Sequence, residues 1–171
     1  APQVDTPLSD LRALEDSAFS FTLPAGSFRD VDVGDVLTYS ATLENGDPLP
    51  DWLRFDAQTG RLEGTPTNGD VGELRLSVTA TDLAGASASQ VFALEVVNTN
   101  DAPTTGAALA AQTATEDVAF SYALPADAFA DADLGDRLSN SATLADGTAL
   151  PAWLLLDAAT GTISGTPGND D

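Results

Sequence analysis

The sequence predicts an all-β chain of two tandem β-sandwiches, the second one truncated. Three observations carry that expectation. The 171 residues contain an internal repeat at an offset of 101 positions. Apolar residues recur with period two, and no stretch sustains helical spacing. Turn-forming residues interrupt the alternation about every eight to twelve positions, the rhythm of short antiparallel strands.

The repeat sets the organisation. A shift of 101 residues places Glu15-Asp16 against Glu116-Asp117 and runs ungapped until Asp70 meets Asp171, with 32 identities in 56 pairs. Leu23-Pro24-Ala25 recurs as Leu124-Pro125-Ala126, Trp52-Leu53 as Trp153-Leu154, and Gly64-Thr65-Pro66 as Gly165-Thr166-Pro167. Two modules are therefore expected, one at 1–101 with a linker at 98–103, the other at 102–171. Residues 71–100 hold two clear strand patterns with no counterpart in the second copy, which should lack its last two strands. A piece of a longer tandem array is the expected explanation. A second module completed by strands from elsewhere is the alternative.

Each element follows from local pattern. Phe19, Phe21 and Leu23 form a first short alternation, and Leu37, Tyr39, Ala41 and Leu43 a second. Leu74, Leu76, Val78 and Ala80 form a third, and Phe92, Leu94 and Val96 close the module. Between them lie Asn45-Gly46-Asp47-Pro48, Thr59-Gly60, Thr67-Asn68-Gly69 and Ala84-Gly85, all turn signals. Residues 107–114 are helix-prone by composition, but the repeat sets them opposite the segment before Glu15, so an irregular first strand is expected there. Trp52 and Trp153 each follow a Leu-Pro corner and are read as core-filling residues, with an aromatic ligand platform as the alternative.

Composition narrows the chemistry. There are 27 acidic residues against six basic ones, all arginine, for a formal charge of −21, and no Lys, His, Cys or Met. Such a surface repels phosphate, so no nucleic-acid partner is expected. Disulfides, thiolate zinc sites and imidazole-based catalysis are excluded by residue type. The 43% hydrophobic content suffices for a packed core. No apolar run reaches the length of a membrane span, so no direct membrane insertion is expected.

The carboxylates cluster. Phe28-Arg29-Asp30-Val31-Asp32-Val33-Gly34-Asp35 is echoed by Phe129-Ala130-Asp131-Ala132-Asp133-Leu134-Gly135-Asp136. Crowded carboxylates repel unless they are solvated, protonated or bridged by a cation. Ca²⁺ takes six to eight oxygen ligands, and a chain rich in Asp, Glu and Asn suits it better than zinc or copper. A solvated acidic loop is the alternative reading. The segment between the copies adds the oxygens of Asn98, Asn100 and Asp101, and Pro103 stiffens the entry to the second copy. Asp56 and Asp157 open Asp-Ala-x-Thr-Gly turns, where a side chain bonding backbone N–H groups is expected.

With these motifs the chain resembles the cadherin-like family. It is closer still to the dystroglycan-type cadherin and immunoglobulin-like repeats of large bacterial surface proteins. The resemblance covers the whole chain and implies tandem Greek-key, immunoglobulin-like sandwiches. Asn98, Asn100 and Asp101 fill three places of the family's linker motif, and Ala102 replaces its last Asn. The resemblance implies that Glu15, Asn98, Asn100, Asp101, Asp131 and Asp133 hold an inter-module Ca²⁺. Asp30, Asp32, Asp82 and Glu116 are weaker candidates. The family's Asp-Arg-Glu element is absent, since Thr59-Gly60 leads to Arg61-Leu62-Glu63 and a Pro turn, so fewer or weaker ions are implied.

The expected function is a non-catalytic, calcium-binding extracellular module. It would act as a calcium-rigidified spacer in a secreted or surface-anchored bacterial adhesion protein, its partners being neighbouring repeats of the same chain. A carbohydrate-binding module, or one that recognises another copy of the protein, is the competing reading. An enzyme is the weakest, because the acidic motifs recur in both copies without a distinct pocket signature.

Overall fold

A computed structural model of the chain describes residues 1–32 and 36–171. Val33, Gly34 and Asp35, part of the first acidic motif, lie outside the described residues. The chain divides into two units, Ala1–Asn100 and Asp101–Asp171. The described residues are almost entirely strand, turn and loop, with one short 3₁₀ turn at Asn68–Asp70.

The first unit is a sandwich. Its strands are β1 (Pro2–Val4), β2 (Leu11–Leu14), β3 (Phe19–Thr22), β4 (Phe28–Asp30), β5 (Thr38–Leu43), β6 (Leu53–Asp56), β7 (Arg61–Gly64), β8 (Gly72–Thr81) and β9 (Ser87–Val97). A four-stranded sheet in the order β2-β9-β8-β5 accompanies a three-stranded sheet in the order β3-β7-β6, while β1 pairs with β4. The alternation read in the sequence becomes the core. Leu76, Val78 and Ala80 of β8 and Phe92, Leu94 and Val96 of β9 are buried with Leu53, Leu62 and Phe28. Trp52 packs against this cluster as a half-buried residue.

The turns behave as their residues dictate. Gly60 closes the β6–β7 hairpin at φ 66°, its N–H donating to the Asp56 carbonyl at 2.8 Å. Gly85 does the same between β8 and β9 at φ 85°. These left-handed values cost glycine nothing and other residues about a kcal/mol or more. Gly64 is required for a different reason: a Cβ there would lie 1.8 Å from the Trp52 carbonyl oxygen.

One pairing departs from the all-antiparallel expectation, since β2 runs parallel to β9, with Leu11 opposite Leu94. The chain leaves β1 beside β4, crosses at 5–10 to the other sheet, and arrives running in the direction of β9. Two side chains fix the crossing. The buried Gln90 donates from Nε2 to the Ser27 and Thr6 carbonyls, and its Oε1 accepts the Leu8 N–H at 2.7 Å. Asp10 accepts the Ala93 N–H at 2.8 Å.

The second unit repeats only part of this. It contains β10 (Thr104–Thr105), β11 (Phe120–Ala123), β12 (Phe129–Ala130), β13 (Leu154–Asp157) and β14 (Thr162–Gly165). By the 101-residue offset these are the counterparts of β1, β3, β4, β6 and β7. They pair the same way, β10 with β12 and β11-β14-β13 as a sheet. Among the described residues no strand occupies 139–144, the counterpart of β5, or 112–115, the counterpart of β2. The irregular strand expected at 107–114 is also not formed; the first strand of this unit is the two-residue β10. The physical reason is shared. In the first unit these segments pair with β8 and β9, for which the second unit has no equivalent, and a strand without a neighbour has no ladder to join.

Candidate metal centre

In the first unit three of the predicted carboxylates come together. The loop after β4 folds back so that the Asp32 N–H donates to Asp30 Oδ1 at 2.9 Å. Asp82 lies at the end of β8, where its Oδ1 accepts the Ala86 N–H at 2.8 Å and braces the hairpin turn. All three carboxylates meet one cation, the amino group of Ala1, at 3.3 Å from Asp30 Oδ1, 3.0 Å from Asp32 Oδ2 and 3.6 Å from Asp82 Oδ2. The Asp30 and Asp82 side chains are only 4% and 2% exposed, whereas Asp32 faces solvent. Asp30 Oδ2 is buried with no hydrogen-bond partner among the described residues.

The electrostatics agree with the geometry. The hydrogen bond to Asp32, joined by the Asp30 carboxylate, pushes the Ala1 amino group up to about 10. The Asp32 backbone N–H, then the Ala1 ammonium, hold the Asp30 carboxyl below the usual carboxylate range.

The second unit reproduces the loop. The Asp133 N–H donates to Asp131 Oδ1 at 3.0 Å, the bond seen between Asp32 and Asp30. Asp133 is buried, and its Oδ2 accepts the Asp101 N–H at 2.7 Å. One carboxylate oxygen from each of Asp131, Asp133 and Asp136 lies within 4.8 Å of the others. Asp136 belongs to the quoted acidic motif, but spacing alone did not single it out as a ligand. Gly135, at φ 98°, turns the loop and brings Asp136 round.

Glu15 behaves unlike its copy. It is 1% exposed in the first unit, and its Oε1 accepts the Thr99 N–H. Its Oε2 is buried with no hydrogen-bond partner among the described residues. Glu116 is exposed. The difference traces to β9, whose last residues cover Glu15: the Glu15 N–H donates to the Val97 carbonyl at 3.1 Å. Asn98 and Asn100 follow β9 on the exposed end of the first unit.

Two other aspartate side chains hold turns. Asp56 Oδ1 accepts the Gln58 and Thr59 N–H groups, and Asp157 Oδ1 those of Ala159 and Thr160. Asp16 and Asp117 hold positive φ, 53° and 57°, and donate their N–H groups to the Pro66 and Pro167 carbonyls.

The donor set is entirely oxygen, so it suits a hard cation, and among the described residues one oxygen each of Glu15 and Asp30 is buried without a hydrogen-bond partner. An oxygen buried without a donor costs free energy that a bound cation would recover.

Comparison with known proteins bears on this arrangement. The chain is 31% identical over 121 residues to "Serine-rich adhesin for platelets" of Staphylococcus aureus, a match covering 71% of this chain. It spans only 5 to 8% of the length of such relatives. Among solved structures it is similar to mouse cadherin-23 EC22-24, with TM-score 0.63, 25% identity, and coverage of 98% of this chain and 54% of that one. The protocadherin GammaB4 extracellular domain shares the fold at TM-score 0.58 and 21% identity, covering all of this chain and 30% of that one. No described helix is long and apolar enough to cross a membrane. The adhesin likeness and the repeat type place the chain outside the cell, secreted or at the surface. The protein-family profile described as "Putative Ig domain" matches residues 1–97 and 102–171, so the chain belongs to that family, as tandem immunoglobulin-like, cadherin-like repeats.

Proposed function

We propose that the chain is a non-catalytic, calcium-binding repeat that serves as a spacer in a larger bacterial adhesion protein, and that Ca²⁺ stiffens the passage from one repeat to the next. The observation that carries the proposal is the convergence of the Asp30, Asp32 and Asp82 carboxylates, with Asp30 Oδ2 buried and unpartnered among the described residues. The same loop recurs in Asp131 and Asp133.

Chain continuity supports a shared ion at the second loop. Glu15 is tied to the N–H of Thr99 and Asp133 to that of Asp101, two residues further on. The proposed ligands are Glu15, Asn98, Asn100, Asp101, Asp131 and Asp133, with Asp136 added. Asp30, Asp32 and Asp82 would hold a second ion where another cation replaces the amine. Glu116, exposed and without a covering strand, is a poor ligand in this unit.

Modules of this kind bind with dissociation constants of about 10⁻⁴ to 10⁻³ M. At a hundredfold excess a ligand adds about 2.7 kcal/mol to the state that binds it. Calorimetry of the chain with CaCl₂, repeated on D131N and D133N, tests the site. Heat of binding that is lost in both variants is the expected result. Scattering with and without chelator tests the stiffening, and an unchanged maximum dimension would refute the spacer role.

The second reading is adhesion, through carbohydrate or another copy of the protein, favoured by the likeness to the staphylococcal adhesin. Retention on a polysaccharide column, or calcium-dependent self-association in sedimentation, would support it over the spacer.

A further inference from the structure

The two sheets of the first unit turn different faces outward. On the three-stranded sheet the outward residues are Ser20, Thr22, Arg54, Asp56, Arg61 and Glu63, all exposed and four of them charged. On the four-stranded sheet the outward residues of β5 and β8 pair as Thr38 with Thr81, Ser40 with Thr79 and Thr42 with Ser77. β9 extends these three rungs with Ser87, Ser89 and Val91. Eight of the nine positions are hydroxyl residues and none is charged, in a chain of formal charge −21. Charge returns one rung further on, where Arg75 Nε donates to Glu44 Oε2 at 3.0 Å. The repeat keeps hydroxyl residues at the three β5 positions, as Ser139, Ser141 and Thr143. Strand propensity favours threonine on any sheet, but the charged outer face of the sister sheet shows what solvent alone selects here.

We propose that this hydroxyl grid is a lateral pairing surface for a second copy of the chain, the two grids meeting face to face about a two-fold axis. A hydroxyl both donates and accepts a hydrogen bond. An array of hydroxyls is therefore complementary to its own copy, which an array of carboxylates or guanidinium groups is not. Thr79 Oγ1 and Ser89 Oγ share a bond at 2.7 Å. The hydroxyls of Ser40, Ser77, Thr81 and Ser87 make no side-chain hydrogen bond among the described residues, so they are free to bond across the interface.

Charge selects the occupant. Two copies of so acidic a chain repel wherever carboxylates face each other, and contact is least opposed at a face without them. A neutral glycan is the poorer fit, because the grid holds no aromatic residue on which a sugar ring could stack. The surface is small: with strands about 4.8 Å apart and alternate residues about 6.8 Å apart, three strands by three rungs cover about 300 Å². A standard interface covers about 800 Å² per partner, so one pair binds weakly, with a dissociation constant on the order of 1 mM. Repeats in series reinforce one another through effective concentration. The inference rests on the adhesion reading for its partner and is independent of the calcium site.

The test is sedimentation equilibrium of the full chain at about 1 mM, with chelator and about 0.5 M NaCl to screen the net charge. The apparent mass should be about 1.5-fold that of the monomer. Thr79→Asp with Ser89→Asp should return it to the monomer value. Ser20→Asp with Thr22→Asp adds the same charge to the other sheet and should leave the association intact; urea unfolding checks that both double variants fold. The chain has no native cysteine, and an axis through the centre of the grid brings the two copies of Thr79 together. A short bis-maleimide should therefore join T79C chains at least about tenfold faster than S20C chains. A monomer mass for the unaltered chain overturns the proposal, as does equal cross-linking of the two cysteines. Self-association that needs calcium and survives Thr79→Asp with Ser89→Asp overturns it too, and leaves the adhesion reading standing on another surface. A monomer whose retention on polysaccharide is lost in that variant overturns it in favour of a glycan.

Discussion

Replacing Phe28 and Phe129 by alanine, one position in two repeats, isolates the effect of the strands that cover it. Phe28 is 6% exposed and Phe129 is 41% exposed. Truncating a buried phenylalanine costs about 3–5 kcal/mol. The 35-point gap between 6% and 41% exposure amounts to about 70 Å² of a side chain of about 200 Å². At about 25 cal/mol per Å² that is about 1.8 kcal/mol. Phe28→Ala should therefore cost about 3–5 kcal/mol and Phe129→Ala about 1–3 kcal/mol. The chain holds two tryptophans, Trp52 in the first unit and Trp153 in the second, so each unit can be followed separately in a W153F or W52F background. Urea unfolding by fluorescence, with calcium held constant, gives both numbers. Equal losses within about 0.5 kcal/mol, or a larger loss in the second unit, would refute the claim that β8 and β9 complete the core around this position.

Acetylating the Ala1 amino group should destabilise the first unit between neutral pH and pH 8. The folded amine titrates near 10 against 8.0 when unfolded, so its contribution is fully present below pH 8 and is lost as pH rises through about 10. Thermal melts of acetylated and free chains from pH 6 to 11 should converge at the alkaline end. Asp157→Ala should weaken the β13–β14 turn above pH 4 and lose its effect in acid: backbone donors, Thr160 first, hold the native carboxyl low, so its contribution fades as pH falls. Gly64→Ala should cost about 3 kcal/mol or more, because the new Cβ meets the Trp52 backbone oxygen rather than a side chain that can move. Gln90→Leu should cost about 2–3 kcal/mol, read by the same urea assay, by stranding the Leu8 N–H and the Ser27 and Thr6 carbonyls.

Local order set much of this protein. The period-two runs of β5, β8 and β9 and the glycine turns at Gly60 and Gly85 were readable because each rests on neighbours a few residues apart. The Asp56 and Asp157 turns were legible for the same reason: an aspartate reaches N–H groups two and three residues ahead. Half of the candidate site was legible too, since Asp30-x-Asp32 and Asp131-x-Asp133 declare their own loop.

What depended on distant partners was not. Thr42 and Thr143 stand in the same Ser-Ala-Thr-Leu sequence, yet one lies in a strand and the other does not, because only the first has β8 beside it. Glu15 and Glu116 share a motif and differ in burial because only Glu15 lies under the end of β9. The parallel course of β2, the clamp of Gln90 across more than sixty residues to Ser27, and the meeting of Asp82 with Asp30 at one amine all arise from chain segments far apart in sequence. A strand is a pairing and a cation site is a convergence, so both are properties of the folded chain and not of any window along it.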